Sequence, residues 1–212
     1  MSVKRVYFVR HGETEGNLNK SFQFPDTPLT AAGHTGAQAV AERFRHVRVD
    51  ELIVSPFVRT QQTAEHINNV VQKPIVIFEA FHERMQPVSV RGKKFDSEEG
   101  AQYLKDYTAL YTNRQVTQEG FENYYAVQAR VTSCIALLED SDKENIVVVT
   151  HGAFIRSVTS FLLLNKQTDI DRMMAIDTAL HTMTNAGVTE FTYEDGVWNF
   201  LHGTTTHILL NN

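Results

Sequence analysis

Cysteine is almost missing from this sequence of 212 residues, which contains only Cys134. A single thiol excludes an internal disulfide and is typical of proteins from a reducing compartment. Cys134 lies in an apolar stretch of helical pattern, Val131 to Leu138, and no cationic residue is next to it. We therefore expect an inert thiol in the core.

Long hydrophobic runs are missing too. The apolar run near the N-terminus, Val6 to Val9, is shorter than the apolar part of a signal peptide. No segment approaches the roughly 20 apolar residues of a membrane span. We therefore expect a cytoplasmic protein that has no membrane partner.

Charge of one sign is not concentrated anywhere in the sequence. The net charge is −5, and acidic and basic residues are well mixed. The absence of a basic stripe argues against nucleic acid as a partner. The length and the 42% hydrophobic content favour one domain over residues 1–212. The sequence leaves open whether the protein forms a homodimer.

Motifs that hold metals or nucleotides are absent as well. His11 with Glu13, or His82 with Glu83, could suggest metal ligands, but the sequence has no His-Glu-x-x-His motif and no paired cysteines. It also lacks the glycine-rich loops of the common nucleotide-binding folds. We therefore expect no metal and no cofactor.

Short apolar runs alternate with helical patterns, which predicts a three-layer α/β/α sandwich with a mostly parallel central sheet. A hairpin with its turn at Asp195-Gly196 follows. The predicted strands are 6–9, 52–54, 75–78, 146–149, 187–193 and 197–201. The predicted helices run from a Thr30 cap to Phe44, from Pro56 in the first turn to Val70, after an Asp96/Glu99 capping pair, over 121–138 and over 154–164.

The residues that follow the first four strands form a chemically complementary set. Arg10 and His11 follow the first strand, Arg59 the second, Glu83 the third and His151 the fourth. Ligands of such sheets bind beyond the carboxyl ends of the strands. Guanidinium groups bind phosphate oxygens, an imidazole can attack phosphorus, and a carboxylic acid can protonate a leaving oxygen.

Each of these residues also has an ordinary structural interpretation. His11 could be a strand-end histidine bonded to backbone, Arg10 and Arg59 could be surface ion-pair partners, and Glu83 could be a solvated carboxylate. Taken singly, these interpretations are favoured. Four successive strand ends that deliver complementary groups favour phosphoryl transfer instead.

The sequence also resembles the histidine phosphatase superfamily, which includes the cofactor-dependent phosphoglycerate mutases. The resemblance begins with Arg10-His11-Gly12-Glu13-Thr14 and covers nearly the whole chain in order. The other matching positions are Asn17, Pro28 to Gly33, Ser55-Pro56, Arg59, Gln62 to Ala64, Glu83, Thr150-His151-Gly152, Asn185, Trp198 and His207-Ile208.

The resemblance implies a role for each position. His11 would be phosphorylated, and Glu83 would donate the proton, with Glu79 as the alternative. Asn17 and Gln23 would lie along the phosphate or substrate path. Arg10, Arg59, His151 and the backbone N–H of Gly152 would surround the phosphoryl group. The substrate would be a small phosphate ester, and no metal would be required.

The sequence departs from the family pattern at three places, one of which is Gly36, where glutamine is common in relatives. Glu122 lies eight residues before Arg130, as in relatives, but Phe121 and Asn123 replace the usual glycine and serine. The stretch after the acid is Glu83-Arg84-Met85-Gln86-Pro87, where the mutases have Glu-Arg-His-Tyr-Gly and a long insertion. The last of these departures favours a phosphatase over a phosphoglycerate-type mutase. The intact set of Arg10, His11, Arg59, Glu83 and His151 argues against a silent phosphate-binding protein.

Residues 84–120 are predicted to be an insertion that faces the substrate. Arg91, Lys93 and Lys94 could hold a second acidic group of the substrate or could be a solvated loop. Tyr103, Tyr107 and Tyr111 are predicted to pack, and His34, His46, His66, His181 and His202 to be surface or structural residues.

Overall fold

The computed structural model describes residues 3–180 and 183–203. His181 and the His207-Ile208 pair, for which the sequence suggested roles, lie outside the described residues. The strands are β1 (Lys4–Arg10), β2 (Glu51–Val54), β3 (Ile75–Ile77), β4 (Asn145–Thr150), β5 (Val188–Glu194) and β6 (Val197–Gly203). The α-helices are α1 (Glu15–Leu18), α2 (Ala31–Arg43), α3 (Val58–Val71), α4 (Glu98–Thr112), α5 (Tyr124–Asp140), α6 (Gly152–Leu163) and α7 (Ile170–Ala179).

The six strands form one sheet in the order β3-β2-β4-β1-β5-β6. The β3-β2, β2-β4 and β4-β1 pairs are parallel, and β5 and β6 continue the sheet in antiparallel fashion. Because β1 lies between β4 and β5, the ends of β1 and β4 are adjacent. The predicted mostly parallel sheet is confirmed.

Two apolar layers enclose the sheet, because alternate residues of β1 point to opposite faces. Val6 and Phe8 pack with α5 and α6, whereas Tyr7 and Val9 pack with α2 and α3. The predicted three-layer sandwich is confirmed. Cys134 is fully buried in the first layer, where burial raises the pKa of its thiol to about 12.

Several helix boundaries differ from the sequence prediction. Ser97, not Asp96, caps α4, because its hydroxyl accepts a hydrogen bond from the N–H of Gly100. Pro56 precedes α3, whose N-cap is Phe57. Asn123 caps α5, which begins at Tyr124, three residues after the predicted start. The short helix α1 and the helix α7 were not predicted.

The predicted Thr30 cap and the predicted hairpin turn agree with the structure, whereas α6 begins earlier than predicted. Thr30 caps α2 by accepting from the N–H of Gly33. Asp195 and Gly196 have φ values of 51° and 82°, as a two-residue hairpin turn requires. The helix α6 begins at Gly152, directly after β4 and two residues before the predicted start, which places its N-terminus beside His151. Within the described residues no helix has the length and apolar character needed to cross a membrane.

Candidate active site

The carboxyl ends of β1, β2 and β4 open into a cleft of about 170 Å³. Its walls include Arg10, His11, Arg59 and Glu83, four of the five residues that the sequence placed in the catalytic set. The fifth, His151, lies beneath the cleft, with its ring centroid 5.3 Å from that of His11. The fold therefore brings the strand-end residues together.

The ring of His11 is oriented by its own backbone neighbour. Its Nδ1 lies 2.6 Å from the carbonyl oxygen of Gly12. Because a carbonyl only accepts hydrogen bonds, Nδ1 carries the proton and Nε2 keeps a free lone pair. Burial lowers the pKa of His11 well below its ordinary value, and Arg59 and Arg10 lower it further. The imidazole is therefore neutral and nucleophilic near pH 7.

The backbone around His11 is held by side chains from two other segments. The N–H of Gly12 donates to Thr63 Oγ1 at 3.0 Å. The amide of Asn185 donates to the carbonyls of His11 and Gly12 at 3.3 and 3.2 Å. A Cβ on Gly12 would collide with the carbonyl oxygen of Gly33, so this close approach requires glycine.

His151 is fully buried between β4 and α6. Its Nε2 is hydrogen-bonded to Ser55 Oγ at 2.7 Å, and its Nδ1 is a buried atom without a hydrogen-bond partner. Burial lowers the pKa of His151 well below its ordinary value, and nearby Arg59 and His11 add to the effect. Both imidazoles in the site are thus neutral near pH 7.

Two arginines supply the positive charge of the cleft. Arg59 donates to the carbonyl of Phe24 at 3.0 Å, and Arg10 donates to the carbonyl of Met183. The Nε of each is a buried donor without a partner. Burial lowers the pKa of Arg59 to about 10, which still leaves the guanidinium charged near pH 7. These guanidinium groups can bind the oxygens of an anion.

Glu83 lies against the N-terminus of α6. Its carboxylate accepts hydrogen bonds from the backbone N–H groups of Phe154 and Arg84 at 2.9 and 2.8 Å, and of Ala153 at 3.2 Å. Glu79, the alternative acid, is exposed and is not among the residues that line the cleft. The geometry therefore favours Glu83.

Asn17 and Gln23 line the cleft, as the sequence suggested. Asn17 Oδ1 accepts from the amide of Asn185 at 2.9 Å, and Gln23 Oε1 lies 2.9 Å from Thr14 Oγ1. Gly152 lies behind Arg10, and a Cβ on it would lie 3.1 Å from the Arg10 Nε. Every predicted binding residue is therefore at or directly beside the cleft.

The outer wall of the cleft comes from the predicted insertion. Arg91 lines the cleft, and its guanidinium donates to the carbonyls of Gln86 and Gly120 at 2.9 to 3.2 Å. Lys93 instead pairs with Glu99 on the surface at 2.8 Å, and Lys94 is not among the cleft-lining residues. Of the three suggested cations, the cleft includes Arg91.

The tyrosines of α4 pack as the sequence predicted. Tyr107 and Tyr111 stack with their ring centroids 5.1 Å apart, and Tyr103 is buried against Phe22. Arg84, which also lines the cleft, lies over the ring of Tyr111. The three tyrosines therefore pack behind the outer wall of the cleft and support it.

No group of three or more His, Cys, Asp or Glu side chains with the geometry of a metal site occurs within 3–180 and 183–203. His34 and His66 contact each other on α2 and α3, with Nδ1 and Nε2 3.0 Å apart. His202 pairs with Glu190 on the surface of the sheet.

A comparison with protein families matches residues 6–206 to the histidine phosphatase superfamily, branch 1. The chain belongs to this superfamily. The resemblance seen in the motifs is therefore confirmed over nearly the whole length of the sequence.

Relatives in the superfamily have different names. A Hydrogenobacter thermophilus protein provisionally named phosphoserine phosphatase 2 is 29% identical over 91% of each chain. A protein of Enterobacter sp. (strain 638), provisionally named as the phosphoglycerate mutase GpmB, is 32% identical over 75% of this chain and 74% of its own. The solved phosphoserine phosphatase of Entamoeba histolytica (a mutant in complex with phosphoserine) shares the fold, with a TM-score of 0.75 and 24% identity over 98% of this chain and 100% of its own.

Sequence reasoning gave no role to several residues that support the site. Ser55 bonds His151, and Thr63 holds Gly12. Thr63 is one turn after Arg59 on α3, so helical periodicity could have placed it on the same face. Asp177, which pairs with Arg84 at 3.3 Å, lies on the helix α7 that the pattern did not indicate.

Proposed function

We propose that this protein is a phosphomonoesterase that forms a phosphohistidine on His11. The observation that carries the proposal is the pairing of a neutral imidazole, with its Nε2 free, and two guanidinium groups whose Nε atoms are buried, in one small cleft. A silent phosphate-binding protein would not need a nucleophile oriented in this way beside an acid.

The reaction would proceed in two displacements. His11 Nε2 attacks phosphorus, the P–O bond to the leaving group breaks, and Glu83 gives its proton to the departing oxygen. Water then attacks the phosphohistidine, Glu83 takes up a proton from it, and the N–P bond breaks to release phosphate and free His11. Arg10, Arg59 and His151 hold the non-bridging oxygens throughout.

The same set supports catalysis without a metal ion. The guanidinium groups of Arg10 and Arg59 can neutralise the charge of a phosphoryl group, which is the task that a divalent cation performs elsewhere. Activity should therefore survive exhaustive chelation. Activity that disappears and returns with added magnesium or zinc would contradict this part of the proposal.

The substrate class that the cleft supports best is a small phosphate ester. We propose that residues 84–120 form the substrate-facing part of a single domain, since Arg91 and Gln86 from this segment line the cleft. Phosphoserine and 3-phosphoglycerate are the first esters to test, because relatives are named for phosphoserine hydrolysis and for phosphoglycerate isomerisation. A cytoplasmic location stays a prediction.

A panel of phosphate esters, assayed for released phosphate, tests the proposed function. The decisive member of the panel is 3-phosphoglycerate with a catalytic trace of 2,3-bisphosphoglycerate, with 2-phosphoglycerate and free phosphate followed together. We expect free phosphate to accumulate, because the stretch after Glu83 lacks the mutase pattern. Fast isomerisation with negligible free phosphate would make the protein a mutase.

A further inference from the structure

The loop that carries Glu83 is held by a partly buried ion pair outside the cleft. Glu122 and Arg130 form this pair, with two short contacts of 2.9 and 2.7 Å from the Arg130 Nε and Nη2 to the two carboxylate oxygens. Their side chains are only 16% and 10% exposed. The geometry is the two-pronged one that fixes both side chains.

Arg130 also contacts the loop on the N-terminal side of Glu83. Its Nη1 donates to the carbonyls of Ala80 and His82, each at 2.8 Å. The guanidinium is planar, so its contact with Glu122 determines where these two donors point. The positions of Ala80 and His82 are thus tied to α5.

Glu122 contacts the loop on the C-terminal side of Glu83. Its Oε2 accepts from the N–H of Met85 at 3.0 Å, and its own N–H donates to the carbonyl of Met85 at 3.0 Å. The pair therefore holds the backbone at positions 80, 82 and 85, which are on both sides of the acid. Neither Glu122 nor Arg130 is among the residues that line the cleft.

A stabilising role alone explains this arrangement poorly. Apolar side chains in place of a buried ion pair are often equally stable or more so, because both charges lose hydration. An acid, in contrast, must stand within hydrogen-bonding distance of the leaving oxygen, and a displacement of about 1 Å can cost about 10²-fold in rate. The pair contacts the backbone on both sides of Glu83, and this backbone determines the position of the acid.

We propose that Glu122 and Arg130 are positioning residues that act on the reaction through Glu83. This inference rests on the proposed role of Glu83 as the proton donor. A loosened loop impairs proton donation, which an alkyl phosphate needs because its leaving oxygen is basic. A nitrophenyl phosphate needs it far less, because its leaving oxygen is a weak base.

The test compares these two esters in Arg130→Met and Glu122→Gln. We expect kcat/KM for the alkyl phosphate to fall by up to about 10²-fold, while kcat/KM for the nitrophenyl phosphate changes little. The comparison uses kcat/KM because it reports on transfer of the phosphoryl group to His11 and not on hydrolysis of the phosphohistidine, which both esters share. The ratio of the two rates is measured on one preparation, so it does not depend on the fraction of folded protein. The matched control is Glu190→Gln, because Glu190 is a buried carboxylate paired with Arg5 far from the loop, and its ratio should equal the parent's.

Two further variants separate this inference from the proposed function. Glu83→Gln alone should lower kcat/KM for the alkyl phosphate selectively, by about 10²-fold or more. In the Glu83→Gln background, Arg130→Met should add little further selectivity, since both act through one group.

The rates on the two esters distinguish failure of the positioning role from failure of the acid role. If Glu83→Gln is selective but Arg130→Met and Glu122→Gln slow both esters equally, the positioning role is wrong and the acid role stands. If Glu83→Gln itself slows both esters equally, Glu83 is not the acid, and the positioning inference fails with it.

Discussion

The two halves of the cleft are built in different ways. The inner half stands on strand ends, and its His11, Arg59 and His151 side chains are at most 3% exposed. The outer wall includes residues from the segment 84–120, of which Phe95 lines the cleft and is 38% exposed. The inner groups are fixed by buried hydrogen bonds, whereas the outer wall depends on contacts near solvent.

The difference indicates that the inner half and the outer wall have different roles. Phosphoryl transfer needs donors and a nucleophile that do not reorganise during the reaction, which buried strand ends provide. Recognition of the rest of the ester does not require groups that are held so rigidly, so a wall formed by short turns and a single helix is sufficient. Changes to the inner half should therefore alter the chemical step, and changes to the outer wall should alter substrate preference.

The largest effect should come from removing the nucleophile. We expect His11→Ala to abolish turnover by many orders of magnitude, because uncatalysed hydrolysis of phosphate esters is extremely slow. Steady-state assays with several esters measure this, and circular dichroism checks that the variant is folded. Near-normal activity in a folded variant would show that the inner half does not work through a phosphohistidine.

A smaller effect is expected on the pH dependence of the free energy of unfolding. Burial keeps His11 and His151 neutral with pKa values well below 6.5, whereas the unfolded chain takes up protons on both as the pH falls below about 6.5. The free energy of unfolding should therefore fall on acidification between about pH 6.5 and the lower folded pKa values. Each histidine contributes a slope of up to about 1.4 kcal/mol per pH unit.

Denaturant unfolding between pH 7 and pH 5 measures this slope. The variant His151→Gln should reduce it, since glutamine can still bond Ser55 but takes up no proton. His46→Gln, which changes an exposed histidine, is the control and should keep the parent's slope. An unchanged slope in His151→Gln would mean that the inner half does not hold His151 neutral.

The smallest effect should come from the outer wall. We expect Arg91→Ala to raise KM for the preferred ester about fivefold, the equivalent of about 1 kcal/mol of lost hydrogen bonding, because Gln86 and Gly120 lose their shared donor. The value of kcat for a nitrophenyl phosphate should change little. A large fall in kcat for every ester would show that the two halves are not separable.

The sequence predicted most of the fold and the inner half of the site. Short apolar strands with polar groups after each one are a strong local signal, and they placed His11, Arg59 and His151 at one rim. The boundary error at α4 has a local cause, since Asp96 and Ser97 are adjacent residues that can both cap a helix. For α5 no cap was predicted, and Asn123 supplies it.

The supporting contacts could not be predicted in the same way. Arg91 and Arg130 donate to backbone carbonyls, which every residue has, so no pattern of side chains marks their targets. The eight-residue spacing of Glu122 and Arg130 could be read from the sequence. The backbone groups that the pair contacts could not, because only the fold brings the loop of Glu83 next to α5. The helix α7, which supplies Asp177 to Arg84, was missed, although Asp169 caps it by accepting a hydrogen bond from the N–H of Arg172.

The most direct test of the account is to trap the phosphorylated intermediate. A nitrophenyl ester with radiolabelled phosphate is mixed rapidly with the enzyme, quenched in alkali, where phosphohistidine is stable, and mapped by peptide analysis. The account predicts label on His11 at early times, at up to one phosphate per chain, and none in His11→Ala. Label on another residue, or product formed with no labelled His11 at any quench time, would contradict it.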